Sequence, residues 1–288
     1  MSLPNGMRSM SLPQNEPFIL PAETKSVSRG KGAPVILIHG MAASLHDWDD
    51  LIPELAEAGY SAHALDLLGH GESPKPEERL YHIEWLYEHL SAWIDSLGLD
   101  GPAVLVGHSL GGYLAMETAL RRPESVRSLV LVDPFYRRNQ LPALMRLSYR
   151  RPEVNMAVIE RLSGWMLRIF IDAASLSMGH SLGGLHALPE HVRFQTMLDY
   201  KRTAPGVYHL PNTIEDLTGR IAEIRQPTLL VWGKRDPTLA PASFRELAGR
   251  LPDVRLQQMA GGHVPHQSQA GVFNARVLEF LKSLPDRN

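Results

Sequence analysis

The chain has 288 residues, 44% of them hydrophobic and 21% charged, so its composition is that of a globular protein of one large or two small domains, not a disordered, collagenous or coiled-coil chain. Twenty-nine Lys and Arg nearly balance thirty-one Asp and Glu, a net charge of −2 that provides no basic field for nucleic acid. Zero cysteines exclude a disulfide scaffold, a thiolate zinc site and a cysteine nucleophile, and no apolar run approaches the roughly 18 residues that span a bilayer.

The first residues, MSLPNGMRSMSLPQNEPFIL, lack the apolar core of a signal peptide and are interrupted by Pro4, Pro13 and Pro17. Cytoplasmic location is the resulting expectation. Residues 1–15, where MSLPNG and MSLPQN nearly repeat, are read as a flexible N-terminus outside the fold.

From Ala33 onward, short β-rich runs alternate with segments of helical period, the pattern of parallel strands joined by crossover helices. The predicted strands are Pro34 to Ile38, Tyr60 to Asp66, Ala103 to Val106, Val126 to Asp133, Pro227 to Trp232 and Val254 to Met259. Ile83, Leu86, Tyr87, Leu90, Ile94 and Leu97 form one apolar helical stripe that Gly98 can end. Further helices are predicted from Ser109 to Arg122, stopping before Pro123, and from about Val272 to Leu284.

Residues 134–222 break the rhythm. They hold no clear strand, and the stretch is far too long for an ordinary connection, so it is predicted to be a helical cap between core segments 16–133 and 223–288. Met145, Met156, Met166, Met178 and Met197 fall here. They can line a bound molecule or simply fill gaps between helices.

The strand at Ala103 runs into Gly107-His108-Ser109-Leu110-Gly111 and then a helical segment, the G-x-S-x-G elbow in the context that gives it meaning. A sharp turn exposes the Ser109 hydroxyl at the sheet's C-terminal edge, and the flanking glycines let neighbouring chain pass closely. GHSLGG recurs at 179–184 around Ser181. That copy has no β-branched run before it and meets Pro189 soon after, so Ser109 is the candidate nucleophile and the second copy reads as a Gly-rich turn.

A serine hydroxyl needs a base and a group that orients the base. Asp236 follows the strand PTLLVW, and His263 follows the next strand, giving the chain order Ser, Asp, His. Asp133, at a strand end, and His266, in the same loop as His263, are rivals for these roles. Backbone donors for an oxyanion would be Met41 N–H, in the loop after PVILI, and Leu110 N–H, next to the serine. No H-E-x-x-H pattern occurs, and no metal is predicted.

With HGMAAS followed by Trp48, DLLGHGES, GHSLGG, GKRDP and GGH in this order, the chain resembles the α/β-hydrolase superfamily over about Pro34 to Leu284, in particular its members with a helical cap. The resemblance implies an α/β fold with a mostly parallel eight-stranded sheet, the cap inserted after the sixth strand, a Ser109–Asp236–His263 triad, the Met41 and Leu110 amides as oxyanion donors, and no cofactor. Ser109 departs from the aspartate used at the elbow by haloalkane dehalogenases and epoxide hydrolases. After the histidine the sequence VPHQSQ departs from the acidic residue and proline often found in the superfamily. A serine esterase acting on a small-molecule ester is the primary reading, without nucleic-acid or membrane partners. A carbon–carbon hydrolase of vinylogous diketones, or a ligand-binding receptor or scaffold of the same fold, are the alternatives.

Overall fold

Residues buried on both faces of a parallel sheet leave little room for polar side chains, and the central strands obey this. In β2 (Ala33–Ile38), Val35 and Leu37 face one side and Ile36 and Ile38 the other, all fully buried. The same alternation divides Val104 and Val106 from Leu105 in β4 (Ala103–His108), and Val130 and Val132 from Leu129 and Leu131 in β5 (Val126–Val132). These positions come from a computed structural model that describes residues 23–76, 80–150, 157–158, 161–177 and 188–285.

Among the described residues one sheet has seven strands in the order β1-β3-β2-β4-β5-β6-β7, completed by β1 (Ser26–Arg29), β3 (Tyr60–Leu65), β6 (Thr228–Gly233) and β7 (Val254–Met259). Only the β1–β3 pair is antiparallel. Helices α2 (Ile83–Ser96), α3 (Leu110–Arg121) and α7 (Pro241–Ala248) pack on one face through Leu86, Leu90, Leu114, Phe244 and Leu247. On the other face lie α1 (Leu51–Glu57) and the C-terminal α9 (Ala270–Lys282), with Leu55, Phe273, Val277 and Phe280. The apolar stripe on α2 ends as its spacing predicts: Ser96 is the last helical residue, and Gly98 turns the chain with φ of 57°.

Two expectations need correction among the described residues, and one strand goes beyond them. The sheet has seven described strands, not eight, because none of the described residues forms an eighth. The helical insert accordingly follows the fifth of these strands, not the sixth. Strand β1 was not foreseen: its sequence SVSR is exposed throughout, so no apolar alternation marks it.

Between β5 and β6 the described residues contain helices and turns but no strand: α4 (Ala143–Ser148), α5 (Gly164–Ser177), α6 (Glu190–Arg202) and a 3₁₀ segment, Pro205–Asn212. The two ends of this insert are anchored, since Phe135, Tyr136, Val207, Leu210 and Leu217 join the buried cluster of the sheet. Its middle is not. Trp165, Ile169 and Phe170 on α5 are 67%, 60% and 63% exposed, and α5 is tied to α6 by Arg168 and Arg193 pairing with Asp172 and Glu190. Met145 packs against the core cluster, whereas Met166 is exposed. The expected N-terminal segment 1–15, Met156, Met178 and the second GHSLGG at 179–184 lie outside the described residues.

Candidate active site

The parallel strands end along one edge, where the loops after β2, β4, β6 and β7 converge. Ser109 sits at the junction of β4 and α3 with φ of 50° and ψ of −109°, a left-handed conformation that strains a residue bearing a Cβ. The surrounding chain fixes it: Ser109 N–H donates to Val132 O at 2.9 Å, and Ser109 O accepts from Phe135 N at 3.0 Å and Tyr113 N at 3.2 Å. A Cβ on Gly107 would lie 2.3 Å from Gly111 O, and one on Gly111 would lie 2.1 Å from Ile38 O. Both glycines of the elbow are therefore demanded by close backbone approach.

The structure brings the three sequence-predicted side chains together. His263 Nδ1 lies 2.7 Å from Asp236 Oδ2, and His263 Nε2 lies 3.0 Å from Ser109 Oγ. An ionised carboxylate only accepts, so Nδ1 carries the proton and donates to Asp236, which leaves Nε2 free to accept from the Ser109 hydroxyl. Asp236 is held by an Asx-type turn, its Oδ1 accepting from Thr238 N at 2.7 Å and Leu239 N at 2.9 Å. Burial would raise its carboxyl, but the charge and hydrogen bond of His263, together with those two amides, outweigh this and hold it below the ordinary carboxylate value.

The rivals take other places. Asp133, at the end of β5 with φ of 41°, is fully buried beside Asp236, and its Oδ1 accepts from Gly233 N at 3.0 Å. Burial, and then the charge of Asp236, push its carboxyl well above the ordinary value, so of the two neighbours Asp236 ionises the more readily. His266 does not face Ser109. It packs against Trp48 and His108, with ring centroids 5.0 and 4.4 Å away, and its Nε2 is 4.0 Å from Asp47 Oδ2.

Leu110 is the first residue of α3, so its N–H has no intrahelical acceptor and sits at the positive end of the helix dipole beside Ser109. Met41 precedes Ala42, which takes φ of 57°, in the turn after β2. His39 orders that turn from below, its Nδ1–H donating to Gly40 O at 2.7 Å and its Nε2 accepting from Leu67 N at 2.9 Å. The DLLGHGES turn is structural: Asp66 accepts from Leu45 N and Glu72 N, both at 2.7 Å.

The family model for the alpha/beta hydrolase fold matches residues 33–189. The pimeloyl-[acyl-carrier protein] methyl ester esterase of Neisseria meningitidis is 30% identical over 88% of this chain and 78% of its own length. The chain belongs to the α/β-hydrolase family. Another relative, bifunctional epoxide hydrolase 2 of Sus scrofa, is 37% identical over 89% of this chain, which spans only 53% of that protein. Among solved structures, an esterase from Thermogutta terrifontis superposes with a TM-score of 0.75 at 23% identity, covering 91% of this chain and 93% of the other. A meta-cleavage product hydrolase from Pseudomonas fluorescens IP01 gives 0.72 at 24% identity, covering 91% and 95%.

Within this α/β-hydrolase frame one group escaped the sequence reading. Asp47, His108 and His266 meet behind the His263 turn, with ligand-type atoms within 4.8 Å of one another. The donor types would suit a divalent transition ion, as would those of Asp133, Asp236 and His263, but Asp47, His108, Asp236 and His263 already engage protein partners. No local pattern links Asp47 to His108 or to Gln267, and Asp47 next to Trp48 reads as an ordinary turn residue. A structural signal exists only once the loops are assembled.

Proposed function

We propose that this protein is a serine hydrolase that cleaves carboxylic esters of small organic molecules through an acyl-enzyme. The observation that carries the reading is the continuous chain Asp236–His263–Ser109, at 2.7 and 3.0 Å, ending on a serine held in a strained elbow. Ser109 Oγ attacks the ester carbonyl as its proton passes to His263 Nε2. The resulting oxyanion is held by the Leu110 and Met41 N–H groups, each worth roughly a hundredfold in rate or more. His263 then protonates the departing alcohol, and a water deprotonated by the same nitrogen releases the acid. Asp236 fixes the tautomer and stabilises the imidazolium.

Ester-cleaving relatives support the bond type. The similarity to an epoxide hydrolase does not transfer that chemistry, because opening an epoxide by carboxylate attack needs a carboxylate where this chain has Ser109. The insert between β5 and β6 serves as the cap that selects the acyl or alcohol portion, and Ser181 has no part in the chemistry. Steady-state hydrolysis of a p-nitrophenyl ester series tests the proposal: Ser109→Ala should lose nearly all turnover while Ser181→Ala keeps it. Equal loss in the two variants would overturn the assignment of the nucleophile, and faster cleavage of a dienol diketone than of any ester would overturn the bond type.

A further inference from the structure

Three separate segments must hold their mutual register for the proposed reaction: the turn after β2 with the Met41 amide, the elbow with Ser109, and the turn after β7 with His263. One buried carboxylate touches all three. Asp47 lies in the 3₁₀ turn Leu45–Trp48, whose backbone is pinned by Asp47 N–H donating to Ser44 O at 3.0 Å. Its side chain is 7% exposed.

Each oxygen of Asp47 has a different task. Oδ2 accepts from Gly40 N–H at 3.3 Å, next to Met41, and lies 3.4 Å from His108 Nδ1. Oδ1 accepts from Gln267 Nε2 at 3.0 Å, on the single helical turn α8 (Pro265–Ser268) that follows His263. His108, the residue before Ser109, carries the link onward: its Nε2–H donates to the backbone oxygen of His263 at 2.9 Å. Both ring nitrogens of His108 thus face acceptor oxygens, one from each neighbouring loop. The packing leaves no slack, since a Cβ on Gly40 would lie 2.7 Å from His108 Nδ1.

The charge environment agrees with this role. Burial alone would raise the Asp47 carboxyl, yet the hydrogen bond and charge of His108, the largest opposing influences, hold it at about 2. Asp47 is therefore an ion at any pH where the enzyme would work. His266, whose ring nitrogens have no hydrogen-bond partner and which burial and His108 keep neutral, walls the opposite side.

We propose that Asp47 is a positioning residue: through Gly40, His108 and Gln267 it fixes the oxyanion turn and the His263 backbone relative to Ser109, without touching substrate. This rests on the serine-hydrolase reading, and a misplacement of about 1 Å at such a distance from the chemistry can cost about a hundredfold in rate.

Asp47→Asn keeps the shape but cannot accept both contacts on the oxygen it retains. It should lower kcat on a p-nitrophenyl ester by about 10- to 100-fold with KM within about threefold, and displace the His263 Nδ1–H resonance in ¹⁵N-histidine-labelled protein. Phe280→Leu, buried under α9 away from these loops, serves as a control for lost stability and should change neither quantity. The proposal is overturned by an Asp47→Asn enzyme whose kcat stays within about twofold of the parent, or by an equal loss in the control. Should Asp47→Asn not fold, Gln267→Leu removes only the Oδ1 contact and should cost about 2- to 5-fold in kcat with the same resonance displaced. If the parent protein cleaves no ester and takes no fluorophosphonate, the serine-hydrolase reading fails by itself. The resonance then decides the proposal: displaced by Asp47→Asn but not by Phe280→Leu supports it, unmoved overturns it.

Discussion

The sheet edge and the helical insert differ in how firmly each is held. Around Ser109, every residue of β4 is buried, ten of the twelve residues of α3 are buried, and backbone hydrogen bonds enter from Val132, Tyr113 and Phe135. On α5, by contrast, Trp165, Ile169 and Phe170 face outward. Over-determined packing can store the strain of a positive φ at the elbow, whereas a loosely packed surface cannot. Chemistry therefore belongs on the edge. The insert can vary its exposed residues with little effect on the fold, which fits the substrate-selecting role proposed for it.

Substitutions can break this contrast. The largest effect is expected at the triad: Ser109→Ala should lower ester kcat by about 10⁴-fold or more, and Asp236→Asn by about 10⁴-fold, both with little change in chemical stability. Retained turnover in Asp236→Asn would assign the orienting role to the neighbouring Asp133. Next, Leu105→Ala in β4 opens a cavity in the sheet core and should cost about 2–5 kcal/mol in denaturant unfolding.

An intermediate effect is expected where insert meets core. Asp199 on α6 is 4% exposed, and burial pushes its carboxyl up to about 7 despite hydrogen bonds from Gln195 and Ser44. A carboxyl raised in the folded state favours folding below its ordinary value and loses that contribution as pH climbs through about 7. Asp199→Asn should then match the parent near pH 3, gain on it progressively as pH rises toward 7, and stay more stable above about pH 8, by on the order of 1–4 kcal/mol. Thermal melts of both proteins across that range read the divergence directly, and parallel curves would count against it. The smallest effect belongs to the exposed face: Ile169→Ala should stay within about 0.5 kcal/mol of the parent in denaturant unfolding.

Much of the edge was legible in the sequence, and the reason is local. Gly107 and Gly111 are demanded by contacts within a few ångströms of the turn, so the motif itself encodes the strain. The position of Asp236 follows from the short, β-rich apolar run of β6, buried throughout, whereas His263 follows β7, whose sequence VRLQQM is largely exposed and keeps only spaced apolar residues. Strand β1 was illegible because an exposed polar edge leaves no pattern. Asp47, His108 and Gln267 were illegible as a group because their contacts join residues far apart in the chain, through side chains that are unremarked in isolation. What separates Asp236 from Asp133 is likewise visible only in three dimensions, because both are buried and only Asp236 meets His263 Nδ1.

An activated nucleophile at Ser109 can be seen chemically. Treatment of the folded protein with a fluorophosphonate, followed by intact-mass and peptide-map analysis, tests it most directly. A single adduct is expected on the peptide containing Ser109, abolished by Ser109→Ala. No adduct in folded protein, or an adduct on Ser181 instead, would contradict it.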